Sequence, residues 1–329
     1  MKPRKNQQLI RTWLGMGVTL AILGGSQNAA LADEGGVSFW LPGQYGSFAA
    51  VAPDPGFSLP TVSYYYTGDM SGGKTLRQGS ELAVGVNADF FAQFIVPTYT
   101  PDTTFLGARP NFSLAILPAY NRVSGDVSIG PLSASRTDTV SGFGDLYPTA
   151  QLFWNDGVNN WMAYVTGDIP IGSYSSDRLA NLGIGHTAID FGGAYTYLNP
   201  KTGFEFSATT GVTFNFENQE TNYTNGIDAH LDVGMAQFLN EQLFIGAVGF
   251  AYQQLTPDNG QPAILGDFES RVFGIGPQLG YNFIAGGVPI YTNLRGYLEF
   301  GAKNRPEGGS MFLTINLPIS ALAKASAKK

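Results

Sequence analysis

The chain has 329 residues, of which 13% are charged and 13% aromatic, with 43 glycines and no cysteine. The charged fraction is about half of what soluble domains usually carry, and the absence of cysteine excludes disulfides and zinc–thiolate chemistry. A net charge of −7 offers no basic face for nucleic acid. The abundance of apolar residues also argues against a disordered chain.

The N-terminus has the pattern of a cleaved export signal. Four basic residues come first: Lys2, Arg4, Lys5 and Arg11. The apolar run Trp13–Gly25 follows, and it is too short to span a membrane comfortably. Ala30–Ala32 supplies the small residues that signal peptidase requires. We therefore predict a signal peptide over residues 1–32 with cleavage before Asp33; the alternative is a retained N-terminal anchor.

Residues 33–56 combine aromatic side chains with turn formers. Proline and glycine at both ends stop helix and strand, while the middle is long enough for about two helical turns. We predict that this segment folds into the periplasmic end of a barrel lumen as a plug, which contains Trp40, Tyr45 and Phe48. The alternative is a mobile periplasmic leader.

From Leu59 onward, apolar and polar residues alternate with a period of two. In Gly203–Asn218, one face has Phe204, Phe206, Val212 and Phe214, and the other has Glu205, Ser207, Thr209 and Thr213. This alternation is typical of a strand with one apolar face and one wet face. It recurs in Gly226–Leu239, Val288–Lys303 and Gly309–Ile319.

About twelve such segments can be counted, each near the ten residues that a tilted membrane strand needs. Their predicted ranges are 59–68, 82–99, 107–120, 143–154, 160–170, 186–198, 203–217, 226–239, 243–255, 270–283, 288–303 and 309–319. Connections after the even-numbered segments are short, whereas most of the others are long, such as 121–141, 172–185 and 256–270. This sorting of loops onto two rims is typical of outer-membrane barrels.

We therefore predict an all-β fold, namely a transmembrane antiparallel up-and-down β-barrel of about twelve strands over residues 57–320, followed by a basic tail at 321–329. If the apolar faces contact lipid, charges must face the lumen, because a charge on the lipid face costs about 2–4 kcal/mol at mid-membrane.

This parity assigns to the lumen Asp89, Asp145, Asp190, Glu205, Asp228, His230, Asp232, Arg295, Tyr297 and Glu299. Tyr65 and Phe91 are assigned inward with them. Two interpretations of these charges stay open. They form either an acidic conduit that attracts cations, or an internal network in which Arg295 bonds carboxylates on neighbouring strands.

Four short motifs resemble a known family of outer-membrane proteins, the MetA-pathway phenol-degradation family. They are Glu34–Gly36, Leu41–Gly43, Pro55–Phe57 and the Gly-x-Gly-Asp of Gly142–Asp145. The resemblance covers most of the mature chain. It implies a Gram-negative outer-membrane barrel that helps small aromatic or otherwise hydrophobic molecules across, with outer-membrane lipids and the barrel-assembly machinery as partners. It implies no catalytic residues. The basic C-terminal tail departs from the terminal aromatic that many barrels carry.

Two other classes remain open. A hydrolase would need a nucleophile beside a histidine, but neither His186 nor His230 has a serine two residues further on. A structural or surface-recognition barrel would use its long polar loops instead of transporting anything. We expect no cofactor and no metal, since Asp228, His230 and Asp232 spread over about 13 Å of one strand. A channel that works by passive or facilitated diffusion, and not an enzyme, is the favoured interpretation.

Overall fold

In a computed structural model, the structure describes residues 38–70, 75–78, 81–129, 132–260 and 269–326. The predicted signal peptide at 1–32 lies outside these residues. The strands are β1 (Gly56–Asp69), β2 (Thr75–Gln78), β3 (Glu81–Ile95), β4 (Thr98–Thr100), β5 (Arg109–Ala115), β6 (Pro118–Ile129), β7 (Leu132–Phe143), β8 (Tyr147–Asp156), β9 (Asn159–Gly167), β10 (Ala188–Asn199), β11 (Phe204–Asn215), β12 (Asp228–Phe238), β13 (Leu243–Gln254), β14 (Arg271–Ala285), β15 (Val288–Lys303) and β16 (Glu307–Leu317). A helix, α1 (Ile319–Ser326), follows them. No helix among the described residues is long and apolar enough to cross a membrane.

These strands form a closed 12-strand antiparallel barrel. Three barrel strands are interrupted, because β3 continues as β4, β5 as β6, and β7 as β8 around the same wall. The short β2 pairs only with β3. Closure comes from β16, which pairs with β1 from Leu59 opposite Leu317 to Asp69 opposite Glu307. A closed barrel has no free edge, so the ladder groups are paired as a hydrocarbon environment requires.

The region predicted as a loop at 121–141 is instead a hairpin. β6 runs to Ile129 and β7 begins at Leu132, with Asn121 opposite Val140 and Ser128 opposite Ser133. The loop prediction was wrong because it relied on an apolar face. The outer face of this hairpin is polar, with Arg122, Thr137 and Thr139 exposed, whereas Val123 and Val140 are buried on its inner face.

The outer surface of the wall is apolar, as the alternation predicted. Along β14, Ile275 and Leu279 are exposed, whereas Gln278 between them is buried inside. Other exposed apolar side chains of the outer face include Leu294, Leu298, Phe300, Met311 and Leu313. A soluble protein would bury such a continuous set, whereas lipid contact makes it favourable. The fold is therefore a transmembrane barrel, which confirms the predicted fold class.

We expect Leu279→Arg to lower the free energy of unfolding in phospholipid vesicles by about 2–4 kcal/mol, because it places a charge at mid-membrane. The matched control is Phe283→Arg, which changes a residue on the same face of the strand near the short turn at its end. It should cost about 0–1 kcal/mol, since the penalty falls near the interface. Urea titrations followed by tryptophan fluorescence give both values, and equal losses would contradict a lipid-facing β14.

Candidate functional site

The chain before β1 runs inside the barrel. We call residues 38–55 the inner segment. It contains a turn in which the amide of Gln44 donates to the carbonyl of Leu41 at 3.1 Å. Gly43 in this turn has a φ of 79°, and a Cβ there would lie 2.8 Å from the ring of Tyr297. Glycine is required twice over, because the backbone is left-handed and the wall is too close for any side chain.

Charged side chains of the wall bind both the backbone amides and the backbone carbonyls of this turn. Asp232 accepts hydrogen bonds from the amides of Gly43 at 2.9 Å and Tyr45 at 3.1 Å. Arg295 donates to the carbonyls of Gly43 at 3.2 Å and Gln44 at 2.6 Å. Charge-assisted bonds of this kind are about twice as strong as neutral ones, and they are stronger still away from water. Asp232 and Arg295 are both buried, so the turn satisfies two charges that would otherwise be unpaired inside the barrel.

The next residues of the inner segment use neighbouring strands in the same way. The amide of Phe48 donates to Glu205 at 2.8 Å, that of Ala49 to Ser207 at 3.3 Å, and that of Ala50 to Thr196 at 3.0 Å. Ser207 also donates to Glu205. The Phe48 ring packs against the rings of Phe238, Phe244 and Tyr291 at the short-turn end of the barrel. Unpaired backbone amides would be costly here, and side chains of the wall satisfy them.

Trp40 covers the buried pair formed by His230 and Asp190. Its ring stacks on His230, with centroids 3.4 Å apart and planes 11° apart. The Nε2 atom of His230 lies 3.0 Å from Asp190, and Asp190 also accepts hydrogen bonds from Tyr164 at 2.7 Å and Thr213 at 2.6 Å. An aromatic face on the histidine and hydrogen bonds on the carboxylate seal this group from solvent.

Most of the residues predicted to face the lumen are gathered around the inner segment. Asp190, Glu205, His230, Asp232, Arg295 and Tyr297 are all buried there. Tyr297 donates its hydroxyl to Gly43 at 3.0 Å. Arg295 bonds backbone carbonyls, Asn293 and Thr314. Thr196, Ser207 and Gln278 were not among the predicted lumen residues, although alternation places Ser207 on the same face as Glu205 and Gln278 on the inner face of β14.

Three other predicted residues lie elsewhere on the inside. Glu299 accepts from the Tyr66 hydroxyl at 3.2 Å and from the Gly308 amide at 2.9 Å. Asp228 accepts from Asn215 at 2.9 Å. Asp145 lies between β7 and β8, where it accepts from the amides of Gly172 at 2.7 Å and Ile184 at 2.8 Å. It thereby fixes the long connection between β9 and β10.

Asp89, Tyr65 and Phe91 face outward, so their inward assignment was wrong. Tyr65 is 42% and Phe91 45% exposed, while Tyr64 is 5% exposed and points inside. Asp89 shares their outer face and accepts a hydrogen bond from Thr67 at 2.9 Å. The penalty that was used to assign charges inward applies at mid-membrane, and Asp89 lies near the rim where it fades. Three consecutive tyrosines at 64–66 gave the sequence no alternation to follow.

A cavity of about 560 Å³ lies beside the inner segment. On β1 it is lined by every second residue: Ser58, Pro60, Val62, Tyr64 and Tyr66. Val86, Phe90, Phe94, Leu117, Phe153 and Phe312 add apolar walls, and Trp40, Leu41 and Val51 line the side of the inner segment. Tyr174, Leu179 and Leu182 of the β9–β10 connection line it from the long-loop end. Among the described residues, no group of three or more acidic or histidine side chains is placed to hold a metal ion.

These features define a class of protein: a transmembrane β-barrel whose lumen holds the chain's own N-terminal segment and an apolar cavity beside it. The family described as "Putative MetA-pathway of phenol degradation" matches residues 67–315, and the chain belongs to this family. The resemblance seen in the sequence is thereby confirmed.

Solved structures share the fold. A crystal structure of the COG4313 outer membrane channel from Pseudomonas putida F1 aligns with a TM-score of 0.62 and 15% identity, over 83% of this chain and 99% of that one. A Pseudomonas aeruginosa FadL homologue aligns over 88% of this chain and 98% of its own, with 14% identity and a TM-score of 0.37. No curated protein matches the sequence. The first of these structures supports the barrel fold.

We expect Gly43→Ala to loosen the inner segment, because the new Cβ meets Tyr297 at 2.8 Å in a left-handed backbone. Cleavage of the segment by an added protease should accelerate about tenfold or more, since cleavage follows local opening. Gly107→Ala is the matched control: its φ is 73° but nothing lies within 4 Å of a Cβ there. Equal cleavage of the two variants would show that contact with Tyr297 does not fix the turn.

Proposed function

We propose that the protein is an outer-membrane channel through which small hydrophobic or aromatic molecules diffuse, passively or with facilitation, without chemical change. The observation that carries this proposal is the apolar, aromatic-lined cavity that follows β1 from Ser58 to Tyr66. A largely apolar pocket with polar groups at defined positions is suited to such solutes. The family description, which refers to phenol degradation, and the channel from Pseudomonas putida F1 support the same role.

The charges of the lumen have a structural role in this proposal. Asp232, Glu205 and Arg295 bind the backbone of the inner segment, and Asp190 binds His230. A carboxylate that accepts two or three hydrogen bonds is poorly placed to attract a passing cation. The internal network is therefore favoured over the acidic conduit.

The inner segment acts as a plug that narrows the lumen. Its support is the set of hydrogen bonds from residues 43–50 to the wall and the packing of Phe48 at the short-turn end. A mobile periplasmic leader would not need buried, charged partners at defined positions. The proposed organisation is a signal peptide at 1–32, a plug at 33–56, a barrel at 57–320 and a tail at 321–329.

The other function classes have less support. For a hydrolase, the neighbours of His230 would have to include a nucleophile, but it contacts Asp190 and Tyr164 and lies under Trp40. A closed scaffold would not need an apolar cavity along the wall. The proposed partners are outer-membrane lipids, small solutes and the barrel-assembly machinery.

In planar bilayers, 4-hydroxybenzyl alcohol should interrupt the ion current of the purified protein in a concentration-dependent way. Glucose at equal concentration should not, because the cavity walls are mainly apolar. Vesicles that contain the protein should also take up the aromatic faster than empty vesicles. Equal effects of the two solutes would contradict the proposed selectivity, and a barrel without any current would support a closed scaffold.

Deletion of residues 34–55 should raise the single-channel conductance several-fold, because it removes the chain that fills part of the lumen. The matched control is deletion of 321–329, which shortens the other terminus and should leave the conductance unchanged. If both deletions leave it unchanged, the plug proposal is wrong.

A further inference from the structure

Five hydroxyl side chains form a row across five neighbouring strands of the wall. Ser58 of β1 lies opposite Thr98 of β4, Thr98 opposite Ser113 of β5, Ser113 opposite Thr149 of β8, and Thr149 opposite Thr166 of β9. All five line the cavity. We call this set the hydroxyl row. Directly opposite residues in a sheet are close enough to interact, so the row is a continuous polar strip.

The strip interrupts a wall that is otherwise mainly apolar. On the side of the long loops, the same cavity is lined by Val86, Ala88, Phe90, Leu117 and Val123. On the side of the short turns, Asn111 of β5 lies opposite Gln151 of β8, and both also line the cavity. A solute that moves from the apolar part of the cavity therefore meets hydroxyl groups before it meets amides.

The hydrogen bonds within the row decide which solute groups it can satisfy. Thr98 donates to the carbonyl of Val96 at 2.9 Å, and Thr166 donates to the carbonyl of Pro148 at 3.2 Å. Thr149 and Thr166 are 2.8 Å apart, and because Thr166 donates to Pro148, Thr149 is the donor of that pair. Each hydroxyl has two acceptor lone pairs and one proton. With these three protons committed, the oxygens of Thr98 and Thr149 remain as acceptors.

Ser113 lies between these acceptors and lines the cavity itself. The Ser113 hydroxyl makes no hydrogen bond to another residue that the structure describes. It can therefore rotate to donate to a solute or to accept from one. The row as a whole thus presents more acceptors than donors to the cavity. A bound group that donates a hydrogen bond, such as the hydroxyl of an aromatic or aliphatic alcohol, satisfies it best.

The inner segment leaves the row accessible. The hydrogen bonds that the wall makes with the backbone of residues 43–50 come from β10, β11, β12 and β15. The hydroxyl row lies on β1, β4, β5, β8 and β9. The inner segment also reaches β5 and β8, where Arg109 donates to the carbonyl of Pro53 at 2.9 Å and Gln151 donates to the Tyr45 hydroxyl at 3.1 Å, but these bonds do not involve the row. A solute can therefore contact the row while the inner segment keeps its hydrogen bonds to the wall.

We propose that the hydroxyl row is a binding site for neutral solutes that combine an apolar body with one hydroxyl group. The hydroxyl donates to Thr98 or Thr149 and accepts from Ser113, while the apolar body contacts the adjacent aromatic and aliphatic lining. This inference rests on the proposed function and adds to it a chemical selection: alcohols and phenols bind in preference to ethers and hydrocarbons of the same size.

The test uses 4-fluorophenol and 4-fluoroanisole, which differ by a methyl cap on the one hydroxyl. Binding to the full mature protein in lipid nanodiscs is measured by ¹⁹F NMR, with empty nanodiscs as the blank for partition into lipid. The phenol should bind more tightly than the anisole. The double variant Ser113→Ala/Thr149→Val should weaken phenol binding about three- to tenfold, the range for one net hydrogen bond, and leave anisole binding unchanged.

Three further variants control for folding and location. Ser63→Ala removes a hydroxyl from β1 that bonds Gln93 at 2.6 Å and is not part of the cavity lining; it should leave both affinities unchanged. Ser113→Trp should abolish binding of both probes by filling the cavity, whereas Leu114→Trp, one residue along β5, should not. Equal affinities of phenol and anisole, or equal losses in the double variant, would overturn the inference.

The inference and the proposed function fail in different ways. If solute uptake into vesicles does not exceed that of empty vesicles, the channel proposal fails even when the phenol binds. If uptake is normal but phenol and anisole bind alike, only the hydroxyl row loses its role.

Discussion

A chain inside a membrane has no bulk water to form hydrogen bonds with its backbone amides and carbonyls, and this constraint governs both the barrel wall and the inner segment. The wall meets it by closure, since β16 pairs with β1 and no edge is left. The inner segment has no regular structure, so it cannot meet the constraint by itself. Side chains of the wall do so instead, with carboxylates on its amides and a guanidinium on its carbonyls. The buried charges and the irregular chain stabilise each other, because neither would be tolerated in the barrel alone.

The same arrangement divides the lumen into two unlike halves. The half formed by β10–β15 is rich in charge and is covered by the inner segment. The half formed by β1–β9 faces the cavity, and its lining combines apolar side chains with the hydroxyl row and the Asn111–Gln151 pair. A barrel of this size cannot fill its interior with wall side chains only. Filling one side with the chain's own N-terminus leaves the other side open as a shaped, mostly apolar space.

Much of the wall could be predicted from the sequence, because successive residues of a membrane strand face lipid and lumen in turn and are apolar or polar accordingly. The segments predicted at 203–217 and 288–303 correspond to β11 and β15, and the alternation in 226–239 placed Asp232 inside. Alternation gave wrong assignments where one strand face does not contact lipid or where the residues do not alternate. Tyr64–Tyr66 does not alternate, Asp89 lies near the rim where lipid no longer excludes charge, and the hairpin of β6 and β7 has a polar outer face.

The site was less predictable, since it depends on pairings between distant parts of the chain. Alternation placed Arg295 inside, and its expected partners were carboxylates; the structure gives it the carbonyls of Gly43 and Gln44. The hydroxyl row joins residues 58, 98, 113, 149 and 166, which carry no common motif. They align only through the pairing of five neighbouring strands, which the sequence does not show.

The inner segment also constrains the order in which the molecule assembles. Gly43 lies 252 residues from its partner Arg295 and 189 residues from Asp232. Contacts of such separation form late, because the intervening chain must first be ordered. The turn of the inner segment can therefore bind Asp232 and Arg295 only after β12 and β15 have formed. Barrel closure spans a similar separation, from Leu59 to Leu317. Filling of the lumen and closure of the wall thus both depend on the strands that are made last.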